Sequence, residues 1–150
     1  MGSRRTITVA LSAAALLWLG LAGAAQGVQK FKARLSTVPM DASMQATVAG
    51  SGSATAELAG TKLSINGTFE GLRSPATIAR LHMGQAGVRG PAIFDLTVTK
   101  ATSGTITGNV TLTQLQADNL RKTRIYLQLH SEKAPEGNLW GWFFPEDRRP

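Results

Sequence analysis

Cysteine is absent from the 150 residues, which excludes a disulfide framework and any thiolate metal site. Histidine is almost absent, with only two in the chain, His82 and His130. Zinc and copper sites need three or four ligands, so two imidazoles do not complete one without other donors. Acid is scarce, with 9 Asp and Glu against 16 Lys and Arg. Asp95, Asp118, Glu132 and Glu136 form no obvious carboxylate pair for acid–base work. Ser131 beside His130 is not a nucleophile–base pair, because sequence neighbours on a strand face opposite ways. No enzyme is expected from these residues. The basic excess is scattered: Lys30, Lys32 and Arg34 alternate, and Arg121, Lys122 and Arg124 cluster elsewhere. A nucleic-acid surface needs a denser stripe with interleaved aromatics, so no nucleic-acid partner is expected.

What is present begins with a leader. Arg4 and Arg5 precede an apolar run, Ile7 to Ala22, and a small-residue stretch, Gly23 to Gly27. This is the pattern of a secretory signal helix over residues 1–25, cut near Ala25. Left uncut, Ile7 to Ala25 just suffices to cross a bilayer, and it would be the chain's only membrane contact. Removing residues 1–25 takes away two arginines and no acid, so the net charge falls from +7 to +5. The remainder suits one domain, 29–145, followed by a flexible tail, 146–150. The periplasm or the cell exterior is the expected destination.

Period-two alternation runs through that remainder. Phe31, Ala33 and Leu35 alternate with Lys32 and Arg34, and Ala54, Ala56 and Leu58 with Thr55 and Glu57. Leu63, Ile65 and Phe69 follow the same rule, as do Phe94, Leu96 and Val98, then Ile106, Val110 and Leu112, then Ile125, Leu127 and Leu129. Ala46 and Val48 suggest a further short strand. One face of each is apolar, which specifies an all-β, antiparallel sandwich or barrel of Greek-key type around one core. Gly50–Ser53, Ala59–Thr61 and Ser103–Gly104 read as turns, and Pro39–Ala42 and Ala134–Asn138 as loops. Thr113-Gln114-Leu115-Gln116 has the form of a capping box, so one short helix is expected near Gln114–Arg121. Leu112, Leu115 and Leu120 would form its inner arc, and it would lid one end.

The stretch Ala79 to Pro91 organises the rest. It reads as a strand end and then a structural turn built on Gly84, Gly87 and Gly90 and closed by Pro91. Ala-x-x-His-x-Gly-x-x-Gly-x-x-Gly-Pro here, Leu-Thr-x-x-Gln at the helix, then Tyr126-x-x-x-His130 and Pro135-x-Gly137, resemble the CHRD domain, named after chordin. The resemblance covers Phe31 to about Phe144. It implies a compact, exported, non-enzymatic binding or structural module, and names no ligand. Three positions depart from the family's usual pattern. Arg80 stands where a first histidine of His-x-His is common, Thr37-Val38-Pro39 lacks an acid, and Trp140-Gly141-Trp142 lacks an arginine.

Two features suggest where such a module works. Ala79, Leu81 and Met83 on one strand, and Ile125, Leu127 and Leu129 on another, take the core-facing positions. His82 and His130 therefore face away from the core. If those strands are neighbours, the imidazoles can meet and share copper or zinc, with a methionine such as Met40 or Met44 as a further copper ligand, Met83 pointing inward; otherwise they bond turn backbone. Trp140, Trp142 and Phe144 share one face of the last strand and would form an exposed stripe if that strand lies at an edge; otherwise they cover the open end of the sandwich or pack under the helix. The candidate binding face is thus Arg80, His82, Gln128, His130, Trp140 and Trp142. Its expected partner is a protein of the cell envelope, with an accessory role to a periplasmic redox enzyme as one form.

Overall fold

The computed structural model describes residues 27–147. The expected signal helix, 1–25, lies outside the described residues. In chain order the elements are β1 (Gln29–Thr37), a 3-10 turn (Ala42–Ala46), β2 (Ser51–Ala59), β3 (Lys62–Glu70), β4 (Ala76–Met83), β5 (Ala92–Val98), β6 (Gly104–Thr111), α1 (Gln114–Arg121), β7 (Ile125–Ser131), β8 (Ala134–Trp142) and β9 (Phe144–Pro145).

Alternation requires each strand to hide one face, and eight strands do so by closing on themselves. The spatial order is β2-β3-β6-β5-β4-β7-β8-β1, with β1 pairing back to β2 and β9 added beside β1. Every pairing is antiparallel. Closure removes the free edges that an open sheet would present. Two connections skip strands: β3 to β4, and β6 through α1 to β7. They supply the expected Greek-key character. The inward residues, among them Phe31, Leu58, Ile65, Leu81, Ile106, Leu127 and Phe143, are buried in one continuous core.

α1 forms where the capping box places it. Gln116 N–H donates to Thr113 Oγ1 at 3.2 Å, and Thr113 N–H donates to Gln116 Oε1 at 2.9 Å. Its inner arc differs from the expected one. Ala117 and Leu120 are buried, at i and i+3, whereas Leu115 is 66% exposed. Leu120 is five residues from Leu115, about 140° round the helix, so the two cannot share a narrow stripe.

Three other local readings change. Residues 42–46 wind into a 3-10 turn because Asp41 caps it, accepting from the amides of Ser43 and Met44 at 2.8 and 3.1 Å. Val48 is then buried with Val38 and Ala134 in a small second cluster, not on a strand. Ser51 to Ser53 begin β2 rather than forming a turn. Ala134–Asn138 is not a loop but the start of β8, reached from β7 by the two-residue turn Glu132–Lys133.

That start is irregular in an informative way. Leu129 pairs with Leu139 and Ser131 with Ala134, so His130 alone faces Pro135 to Asn138. The surplus strand bulges outward, and Gly137 takes φ +133°, which suits glycine. Asn138, fully buried, ties the bulge down. Its Nδ2 donates to Ser131 Oγ at 2.9 Å, its Oδ1 accepts from Ala49 N–H at 3.2 Å, and its carbonyl accepts from Val38 N–H at 3.0 Å. At the other terminus Glu146 is held by β1, its amide donating to Lys30 O at 2.9 Å and its carboxylate 3.2 Å from Lys32. The chain therefore stays tied through Glu146, and positions 148–150 lie outside the described residues.

Candidate functional site

A strand in a barrel ordinarily has one wet face. β7 does not: all seven of its residues are buried. Ile125, Leu127 and Leu129 fill the barrel, and Tyr126, Gln128 and His130 on the outer face are 0%, 2% and 9% exposed. Two structures cover that outer face. One is the β8 bulge. The other is the glycine loop Gly84 to Pro91 between β4 and β5.

The loop leaves through a narrow neck. Gly84 N–H donates to Arg124 O at 2.9 Å, and Met83 N–H to Pro91 O at 3.0 Å. Gly84 and Gly90 meet backbone to backbone: a Cβ on Gly84 would stand 2.7 Å from Val88 O, and one on Gly90 would collide with Met83 O. The glycines are there for close approach at the neck. Gly87, at the tip with φ +81°, has open space around it. Val88 beside it is 57% exposed.

Side chains of the barrel wall then pin the loop from beneath. Trp142 Nε1–H donates to Gly84 O at 3.0 Å. Gly90 N–H donates to Tyr126 Oη at 3.0 Å. His82 Nδ1 lies 2.9 Å from Gly90 O, and Arg89 Nη1 donates to Glu136 O at 3.1 Å. The pinning residues also pack on one another. The His82 ring stacks on Tyr126 with centroids 4.9 Å apart, Tyr126 meets Trp142 at 4.6 Å, and Trp142 meets Trp140 edge-on at 4.7 Å. Offset and edge contacts of this kind each add about 0.5–1.5 kcal/mol beyond burial.

The bulge is pinned in the same manner. Gln128 Nε2 donates to Glu136 O at 3.0 Å, and His130 Nδ1 lies 2.7 Å from Pro135 O. Carbonyl oxygens only accept, so both imidazoles carry their neutral-form proton on Nδ1. Each Nε2 is buried without a partner. Burial holds the His130 pKa below its ordinary range; the bond to Pro135 O opposes that, and the positive charges of Arg80 and Arg89 add to it.

The expected binding face is therefore largely an inner layer. Both histidines do point away from the barrel core, and both bond backbone carbonyls, but His130 is covered and His82 half-covered. β8 is no edge strand, since it pairs with β7 and with β1 at Ser36 and Thr37. Trp142 is accordingly 8% exposed, and Trp140 is half-buried. Only Phe144 of the expected stripe is strongly exposed, at 53%. Arg80, half-buried, pairs with Asp95 across β4–β5 at 2.8 Å.

The two histidine strands are neighbours, yet the imidazoles do not meet in register. His82 lies across from Tyr126, and Ile78 across from His130. Four residues, about 13 Å of strand, separate them, with Arg80 and Gln128 between. Among the described residues no group of three or more His, Asp or Glu side chains converges as a metal cage. Met40 is 44% exposed on its loop, and Met44 packs against the Val38 cluster. Ser131 is buried, with its hydroxyl taken by Asn138.

Tyr126, Asn138 and Gly137 escaped the sequence reading as site residues. Tyr126 gave one signal, a lone tyrosine at an outward position between buried aliphatics.

The sequence has a counterpart in a protein family. A family model described as the CHRD domain matches residues 31–142, from β1 to the end of β8. No curated protein and no solved structure gives a match.

Proposed function

Because the chain belongs to the CHRD domain family, which points to a binding or structural module, we propose that it is an exported, non-enzymatic module that works by contact with another protein of the periplasm or cell exterior. The contact face is the Gly84–Pro91 loop with its flank, Arg80 and Trp140. One observation carries this reading. The loop is fixed by one side chain from each of three strands, His82 of β4, Tyr126 of β7 and Trp142 of β8, and by its own Arg89, while its tip, Val88, stays open. A loop held in one shape before binding loses little entropy on binding. The polar groups beneath it point to the same conclusion. Gln128 and both Nδ1 atoms are spent on backbone carbonyls rather than offered to a substrate.

A photo-crosslinker at Val88, compared with one at Thr107 on the opposite wall, tests the reading in the envelope of the exporting cell. Adducts to a protein at 88 and not at 107, lost with Arg89→Glu, support it. Equal labelling at the two positions contradicts it.

A second reading, copper or zinc binding at His82 and His130, draws on the two unpartnered Nε2 atoms. It requires stoichiometric metal in the full chain, bound tighter than micromolar and lost in a His82→Ala/His130→Ala double variant. No metal at that affinity removes it.

A further inference from the structure

We infer that the end of the barrel at which β1 begins is a docking face for an anionic lipid surface, with Val28 and Leu115 as its apolar contacts and Lys62, Lys122 and Arg124 as its charges. The antiparallel register gathers these residues. The start of β1, the β2–β3 turn, the end of β6 and the start of β7 all lie at one end, and α1 spans it.

Apolar exposure is polarised along the barrel. Of the five strongly exposed large apolar side chains among the described residues, Val28 (55%), Leu115 (66%), Phe144 (53%) and Val88 (57%) lie toward this end, and Met40 lies toward the other. Charge is polarised with it. Lys62, Lys122 and Arg124 are exposed and belong to no ion pair among the described residues. Three acids at this end are already engaged, Glu57 with Lys30, Asp118 with Arg121 and Glu146 with Lys32, which leaves Asp147 as the acid in no ion pair here. At the far end Asp41, Glu70 and Glu132 balance Arg73, Lys100 and Lys133.

Separated apolar side chains ringed by long basic ones suit the headgroup layer. Val28 and Leu115 can reach below the phosphates while the lysines and arginine stay among them. A protein interface would favour a contiguous apolar patch instead. The chain's connectivity favours the same occupant. Residues 1–26 join the barrel here through Gly27 and Val28, and they carry Arg4, Arg5 and the apolar run Ile7–Ala22. While uncut, a leader associated with a bilayer would hold this end next to its surface, where two weak attractions add up to stable docking. Val88 belongs to the loop already described; Val28, Leu115, Lys62, Lys122 and Arg124 lie outside that contact face, and the proposal does not rest on the protein-contact reading.

The cysteine-free chain allows single labels. Full-length Leu115→Cys and Met40→Cys proteins, each carrying an environment-sensitive fluorophore, are mixed with phosphatidylcholine vesicles containing a lipid-borne quencher, with or without phosphatidylglycerol. The expected result is quenching at 115, and not at 40, on the phosphatidylglycerol vesicles. Lys62→Glu, Lys122→Glu and Arg124→Glu should weaken that quenching about five-fold per charge, even where the leader keeps the chain on the vesicle. Raised salt should do the same to the unaltered charges. No quenching at 115, equal quenching at 40 and 115, or indifference to both the charge variants and salt would overturn the proposal.

Discussion

The indole N–H of Trp142 reaches the carbonyl oxygen of Gly84 at 3.0 Å. The end of β8 thereby holds down the neck of a loop that leaves from β4, two strands away. Replacing Trp142 by Phe keeps an aromatic ring against Tyr126 and removes the donor. We expect a loss of about 0.5–1.5 kcal/mol in global stability, the usual net value of one such bond. Urea unfolding measures it, and faster amide exchange confined to Gly84–Gly90 shows where the bond acted.

His130 makes stability depend on pH in a definite direction. Its folded-state pKa lies below the unfolded value of 6.5, so the unfolded chain takes up a proton first as pH falls. The contribution is complete above about pH 6.5 and declines as the pH drops below it, until the folded imidazole protonates as well. Urea midpoints between pH 8 and pH 5 should fall on the acid side. His130→Gln, which can still donate toward Pro135 O, should flatten the slope in that interval.

The two outer glycines of the loop neck should tolerate substitution less well than the one at its tip. Gly87→Ala meets no atom and costs only its left-handed backbone, about 1 kcal/mol. Gly90→Ala forces Met83 O away and should cost more, about 2 kcal/mol or above. Thermal or urea unfolding of the pair gives the order, and the reverse order would argue against the neck as described.

Asn138→Leu removes a buried side chain that serves both Ser131 Oγ and the Ala49 amide. Two polar groups then lose their partner. We expect about 2–4 kcal/mol of destabilisation, larger than Asn109→Leu on the exposed wall, which should lie within about 0.5 kcal/mol.

The inward half of this barrel was legible because one rule governs it. Alternation in Phe31–Leu35, Leu63–Phe69 and Ile125–Leu129 reports the core face directly, and the capping box of Thr113 and Gln116 is a local signal. The outward half of β7 was not legible. Tyr126, Gln128 and His130 look like solvent-facing positions in any window along the strand. Their burial comes from a loop some forty residues earlier and a bulge a few residues later. The bulge itself was hidden because Pro135 and Gly137 signal a turn, whereas the true turn, Glu132–Lys133, has neither residue. Whether Trp140 and Trp142 lie on an edge was left open by the sequence because β1, their second neighbour, lies a hundred residues upstream. Leu115 was drawn inward by its hydrophobicity alone, against the helical angle that separates it from Leu120.

The account rests on a loop that is held by its side-chain shelf before any partner arrives. The most direct test is amide exchange at Gly90, whose N–H donates to Tyr126 Oη. It should exchange far more slowly than the neighbouring tip amides of Ala86 and Gly87, and Tyr126→Phe should release it while Leu127 and Leu129 in the barrel stay protected. A Gly90 amide that exchanges as fast as the tip in the unaltered protein would contradict the account.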